Sequence, residues 1–310
     1  MRPTLLLPTV LLAWLTASGW ALATPDVLIV SSEDSPPYQE LIQTFSTQLA
    51  GRVDQLEISV QSQQQLSDSL SKQPPRLLLT LGVSATEQAI QSNQRVPHLA
   101  VLVPRLTYEK LLSSKPATDL RNRSAIYLDQ PLDRFLGLAR LVVPNLERVA
   151  ILSSMDPAPP RKPLASALKN PPALVVELIE SERDIVPTMQ RVLPGTQALL
   201  AIPDNKVYTP HTAELVILTA YRQRVPIIGF SSTFTRAGAL CSVYSTPSQI
   251  GQQAAEIASK VLSGRAVLPA PQYPQHYTIS VNDRVARALG MEIKPAPILL
   301  ERLHQELGEN

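Results

Sequence analysis

The sequence predicts an α/β protein of two doubly wound lobes, each a parallel sheet with helices on both faces. Three observations predict it. Short apolar runs alternate with longer amphipathic ones along nearly the whole chain, the pattern of strands joined by helical crossovers. The alternation breaks once, in a stretch rich in charge and serine near residues 105–124. The apolar runs are also too many for one ordinary sheet, and no G-x-G-x-x-G follows the first of them.

The N-terminus stands apart from this pattern. Met1-Arg2 supplies a short positive region, Leu5 to Leu15 is almost unbroken apolar sequence, and Ala21-Leu22-Ala23 places small residues before a cleavage point at Thr24. That layout is a secretory signal peptide cleaved near Ala23, which predicts a mature chain in the periplasm. The apolar run is short for a hydrocarbon core of roughly 30 Å. With no cysteine beside the cleavage point, a lipid anchor is not expected.

Each later element follows in order. Val27 to Val30, bounded by Pro25-Asp26 and Ser31-Ser32, reads as a buried strand. Leu41, Ile42, Phe45 and Leu49 recur at helical spacing, and Gly51 follows as a stop. Then come a strand over 56–60, a polar helix over 61–71, a strand over 76–81, a helix over 84–92 and a strand over 98–103. After the break the spacing predicts strands at 125–128, 148–152, 174–179, 198–202 and 226–230. Helices at 131–143, 164–169, 185–193 and 210–223 alternate with them. A helix over 247–262, a strand over 277–281 and a helix over 284–289 close the pattern. Ser84 to Glu87 and Thr246 to Gln249 both have capping-box spacing, with Pro247 at the favoured first helical position.

Bulk composition narrows the function classes. A length of 310 residues suits two domains. Cys241 is the only cysteine, so no internal disulfide forms, and a net charge of +2 gives no reason to expect nucleic acid. His98, His211, His276 and His304 have no metal-ligand spacing, no G-x-S-x-G elbow is present, and Cys241 has no histidine near it in sequence. Neither an enzyme nor a metal or cofactor protein is expected.

In open parallel sheets a ligand binds beyond the carboxyl ends of the strands. The candidate ligand-binding residues are therefore Ser31 and Ser32 after the first strand, and Gly82, Val83 and Ser84 after the third. In the second half they are Ser153 and Ser154, Asp204 and Asn205, and Phe230, Ser231 and Tyr244. Hydroxyls and amides dominate these loops, which suits a small polar solute. Asp204 is placed to hold an ammonium group by a charge-assisted hydrogen bond, and equally to cap its own backbone in an Asx turn. Tyr208, Phe230 and Tyr244 are placed either to flank a ligand ring or to pack core.

The order of several segments resembles the ABC-transporter substrate-binding family that includes bacterial receptors for tryptophan and other aromatic amino acids. They are Leu-Val-Val-Pro144-Asn145-Leu-Glu-Arg148-Val-Ala-Ile-Leu152, Ala201-Ile-Pro203-Asp204-Asn205, Val225-Pro226-Ile-Ile-Gly229-Phe230, and Arg236-Ala-Gly238-Ala239-Leu240. Gly251-Gln-Gln-Ala-Ala255, Lys260-Val-Leu-Ser-Gly264 and the run from Ile279 to Gly290 complete them. The resemblance implies a type I periplasmic-binding fold with a three-strand hinge, crossing near 124–128, 241–245 and 276–280. It divides the chain into a lobe of 24–124 plus 245–275 and a lobe of 125–244 plus 276–310.

What the resemblance implies for function is a monomeric periplasmic receptor that binds an amino-acid-like solute between its lobes and delivers it to an inner-membrane ABC permease. Asp204 would then be the ammonium partner. Two loops differ from the family's pattern. Val103-Pro104-Arg105-Leu106 stands where an Asp-Pro loop is usual, and Ser153 to Pro160 stands where an Asn-Pro pair is usual. Those differences motivate the alternative, an accessory module that presents its solute to a membrane sensor rather than a transporter.

Overall fold

Val27 to Val30 are wholly buried on both sides, as a strand must be when helices cover both faces of a parallel sheet. In the computed structural model they open β1 (Val27–Ser31). The structure describes residues 25–309 apart from 54, 63–64, 67–69, 71–73, 93–94, 114–121, 155–170 and 205. The expected signal peptide, Asn205 and the helix expected over 164–169 lie outside the described residues.

The first sheet also contains β2 (Ile58–Ser62), β3 (Leu77–Leu81), β4 (His98–Val103) and β5 (Arg123–Tyr127), in the order β2-β1-β3-β4-β5, all parallel. The chain winds one way from β1 to β2 and the other way from β3 onward. The second sheet has β6 (Arg148–Ser153), β7 (Ala173–Leu178), β8 (Ala198–Leu200), β9 (Ile227–Gly229), β10 (Cys241–Tyr244) and β11 (Thr278–Val281). Its order is β11-β10-β9-β8-β6-β7, parallel except for the antiparallel edge strand β11. Two doubly wound sheets are thus present. The strand at 123–127 hydrogen-bonds in the first sheet, so the chain leaves that sheet after Tyr127.

The helices pack where their apolar faces require. On α1 (Pro36–Ala50), Leu41, Phe45 and Leu49 bury one stripe, and Pro36 starts the helix. In the same core lies α8 (Pro247–Leu262), whose Ile250, Ala254, Ala255 and Ala258 are buried. A Cβ on Gly251 would lie 2.8 Å from the Leu41 carbonyl oxygen, so only glycine permits this approach. The capping box at its start forms as expected: Gln249 N–H donates to Thr246 Oγ1 at 3.2 Å and Thr246 N–H to Gln249 Oε1 at 2.9 Å. In the second lobe α4 (Leu132–Val142) and α10 (Ala296–Leu307) share a core on one face, with Ala286 of α9 (Asp283–Leu289) in it. The other face is covered by α5 (Glu182–Val192) and α6 (Pro210–Arg222).

Three helices form beyond those expected: α3 (Arg105–Leu112), α7 (Ser232–Ala237) and α10, of which only α10 carries a legible stripe, Leu299, Leu303 and Leu307. Only Tyr108 of α3 is buried, and α7 is under two turns long, so neither carries a readable stripe. The strand expected at 56–60 sits two residues further on. The polar helix expected from 61 yields its first residues to β2, and the rest falls partly outside the described residues.

The capping box expected at Ser84 does not form. Gly82, at φ +85°, turns the chain directly from β3 into α2 (Val83–Gln91), which makes Gly82 the N-cap. The N–H of Ala85 is satisfied from another loop, by Ser32 Oγ at 2.9 Å.

Candidate functional site

The carboxyl ends of the two sheets face each other across a cleft. One compartment, about 520 Å³, is lined from the first lobe by Ser32, Glu33, Tyr38, Val83, Ser84 and Glu87, with Leu102, Pro104 and Thr107. From the other side it meets Leu128, Pro203, Asp204, Tyr208 and Phe230. A second compartment, about 430 Å³, shares Leu128, Pro203 and Phe230 and adds Glu40, Ser231, Ser232 and the segment Tyr244 to Pro247. Each is the size of a small-molecule site. Leu128 follows β5 where the chain passes between sheets, so the cleft is floored by the connection itself.

Each lobe contributes its topological switch point, the crevice where the winding direction reverses. In the first lobe this lies between the loops after β1 and β3. An added Cβ on Gly82 would lie 2.7 Å from both Ser32 Oγ and Tyr38 Oη, so the three residues fill the crevice together. In the second lobe it lies between the loops after β6 and β8. There Asp204 Oδ2 accepts from Ser154 N–H at 2.7 Å, and Oδ1 accepts from Ser154 Oγ at 2.8 Å. Oδ1 also accepts from the backbone N–H groups of Lys206 and Val207 at 3.0 and 3.2 Å. Asp204 is thus the Asx-turn residue of its loop and a clasp across the crevice. It lines the cavity with its oxygens already engaged.

The other candidates divide. Ser32, Val83, Ser84 and Asp204 line the larger compartment, Ser231 and Tyr244 line the smaller, and Phe230 lines both. Ser231 additionally caps α7, accepting from Phe234 N–H at 3.0 Å. Gly82 and Ser153 are buried and shape the loops without lining either compartment. Ser154 is tied to Asp204. Ser31 faces a neighbouring depression of about 490 Å³ beside β2. Tyr38, Glu40, Glu87, Thr107 and Leu128 were not candidates from sequence. Four of them sit within helices and Leu128 is an apolar residue just past β5, where no loop chemistry marks them.

An aromatic cluster forms the second lobe's wall. Phe230 stacks on Phe234 at 5.1 Å between centroids, and Tyr208 meets Phe230 at 5.7 Å and Phe234 at 5.6 Å. The Tyr208 hydroxyl is buried with no hydrogen-bond partner among the described residues. Burial and the Asp204 carboxylate raise its pKa, so the phenol stays neutral. Tyr38 is raised by burial and by Glu33.

Cys241 is buried in β10, where burial raises its thiol pKa and suppresses the thiolate. No group of three or more metal-ligating side chains is found among the described residues. None of the described helices is long and apolar enough to cross a membrane.

The chain matches the family model described as "ABC transporter substrate binding protein" over residues 65–300. No curated protein sequence matches it. Among solved structures it is similar to the ligand-free, open form of a substrate-binding protein with adhesive properties from Clostridium difficile. The TM-score is 0.66 at 18% identity, covering 87% of this chain and 96% of that one. It is also similar to an ABC domain in complex with L-Trp from Streptococcus pneumoniae, with TM-score 0.60, 14% identity, and 90% and 98% of the two chains covered. A conserved domain protein from Vibrio cholerae gives TM-score 0.61 at 18% identity, covering 90% and 98%. These structural likenesses speak to the fold, which they share along almost its whole length. The family's model spans more than half of the sequence and reaches into both lobes, and the chain belongs to the ABC transporter substrate-binding protein family.

Proposed function

We propose that this chain is the periplasmic receptor of an ABC-type import system, a monomer that binds an amino-acid-like solute between its lobes and presents it to an inner-membrane permease. One observation carries the reading: a single cleft is walled by strand-end loops from both sheets, with the residues after β1 and β3 facing those after β8 and β9. The lobes would comprise roughly 24–127 with 247–272, and 128–246 with 273–310. The three crossings then lie together, and closure is a hinge motion about them. The backbone N–H groups at the start of α2 offer donors to a solute oxygen, and the Tyr208–Phe230 wall offers a surface for a ring.

The test is a thermal-denaturation screen of residues 24–310 against amino acids, sugars and nucleosides. A solute that binds only the folded state raises the midpoint by mass action, by about 2.7 kcal/mol of apparent stability at a hundred times its Kd. A concentration-dependent rise for one chemical class supports the receptor reading. No rise across the panel contradicts it.

A further inference from the structure

Outside the cleft, the exposed large apolar side chains of the described residues gather on one helix. Leu215, Leu218 and Tyr221 of α6 are 38%, 43% and 50% exposed, whereas Val60, Leu178, Val267 and Ile298 lie on separate elements. A lone exposed leucine is ordinary. Three apolar residues at i, i+3 and i+6 form a stripe over two turns, on the side of α6 opposite its buried Val216, Ile217 and Ala220. No residue of α6 lines either cleft compartment.

Charge flanks this stripe in a symmetric order. Counted from Leu218, the residues three before and three after are the apolar Leu215 and Tyr221, and those four before and four after are Glu214 and Arg222. Both charged side chains are exposed, and neither enters an ion pair or a hydrogen bond among the described residues. They stand about 12 Å apart along the helix, too far to pair with each other. Each suits the helix end it lies near, so the charges by themselves would mean only a well-made helix. Dipole compensation does not require their placing about an exposed apolar centre. With a second α6 laid antiparallel on the first and Leu218 at the crossing, each Glu214 comes level with the other copy's Arg222, and each Leu215 with the other copy's Tyr221. A two-fold interface needs such a self-complementary patch, in which i meets j and j meets i.

We propose that this face is an interface between two copies of the chain, an antiparallel pair of α6 helices about a two-fold axis beside Leu218. The apolar stripe forms its centre and the two Glu214–Arg222 pairs form its rim. One helix face on each side buries less than the roughly 1,200–2,000 Å² of a stable complex. The pair is therefore weak and forms with concentration, at a dissociation constant of roughly 0.1 mM. The monomer of the receptor reading is its dilute form, and the contact uses no residue that lines a cleft compartment. This inference goes beyond the receptor reading and does not depend on it.

The experiment is analytical ultracentrifugation of residues 24–310 at low salt, over concentrations from about twentyfold below to about fivefold above that constant. The weight-average mass should rise from monomer toward dimer. Glu214→Arg sets like charges against each other at both rim positions and should weaken association about fivefold. Adding Arg222→Glu to it exchanges both signs and should restore the wild-type association. The two-fold axis also sets Leu218 beside its own copy, so Leu218→Cys should link into disulfide dimers under mild oxidation. Val267→Cys, at a site 84% exposed elsewhere on the surface, should not, and the buried Cys241 does not compete. A mass that stays monomeric throughout overturns the pair. So does association that Glu214→Arg leaves unchanged or the charge exchange fails to restore, or linking no faster at position 218 than at 267. The receptor reading is decided separately, by the denaturation screen.

Discussion

Gly82 decides the shape of the first lobe's wall. Its φ of +85° turns β3 into α2 within one residue, and a methyl group there would strike Ser32 and Tyr38. Gly82→Ala should therefore lower the unfolding free energy by about 2 kcal/mol in urea titration, combining backbone strain with the clash. Wild-type stability in this variant would show that the loop yields freely. His98 makes a second residue-scale case. Arg123 can only donate, so His98 Nδ1, 3.4 Å from Arg123 Nη1, must accept, and Nε2–H donates to Thr80 Oγ1 at 2.8 Å. Burial first, and the Arg123 charge second, hold the ring neutral with its pKa down at about 3, against an ordinary 6.5. The folded value lies below the unfolded one. The stability it contributes is thus present above about pH 6.5 and lost as pH falls toward 3, by up to about 1.4 kcal/mol per pH unit. Urea titrations at pH 7.5 and 5 should show that loss in the wild type and a shallower slope in His98→Gln. Equal slopes would contradict the buried neutral ring.

At the scale of elements, the hinge depends on one side chain. Arg134 of α4 donates from Nη1 to Gln130 Oε1 and to the Pro274 carbonyl, both at 2.7 Å. Its Nη2 pairs with Glu309 at 3.0 Å and its guanidinium lies 3.9 Å over the Tyr277 ring. Gln130 reaches on to Ser245 Oγ at 2.9 Å, which donates to the His276 carbonyl. All three crossings between the sheets are thus tied to α4 and to the chain's last residues. Removing the partly exposed Glu309 by Glu309→Gln should cost about 1 kcal/mol, and Arg134→Met about 3 kcal/mol, because the latter strips partners from buried groups. Circular-dichroism melts of both variants check the ranking, and a larger loss for Glu309→Gln would contradict it. Strong elements were legible in the sequence because burial imprints a period: β1 reads as four apolar residues and α8 as a stripe behind a capping box. Helices α3 and α7 were not, since one buried Tyr108 or a six-residue turn leaves no period to read. Ser84 misled for a physical reason. A capping-box spacing is local, whereas the donor at Ala85 is satisfied from fifty residues away by Ser32.

For the whole molecule, both sheets reverse their winding, and the loops of the two switch points confront each other. The position of the cleft was therefore legible once the strands were read, because in open parallel sheets the crevice lies beyond the strand ends. Its composition was legible in part. Ser32, Val83, Phe230 and Asp204 lie where strand-end logic puts them. Tyr38, Glu87 and Leu128 reach the cleft from helices and a crossing, positions that only the packing of one lobe against the other defines. Asp204 illustrates the limit most plainly: sequence allowed an ammonium partner or a turn residue, and what the structure shows is the turn, with four hydrogen-bond donors around its carboxylate.

The central claim is that one solute is held by both lobes at once. The most direct measurement is calorimetric titration of the solute that stabilises residues 24–310, carried out on the wild type and on two variants from opposite walls, Val83→Trp and Phe230→Ala. The account predicts single-site binding weakened at least tenfold by each substitution, by obstruction in the first lobe and by loss of the ring surface in the second. Binding that either variant leaves unchanged would contradict a site shared between the lobes.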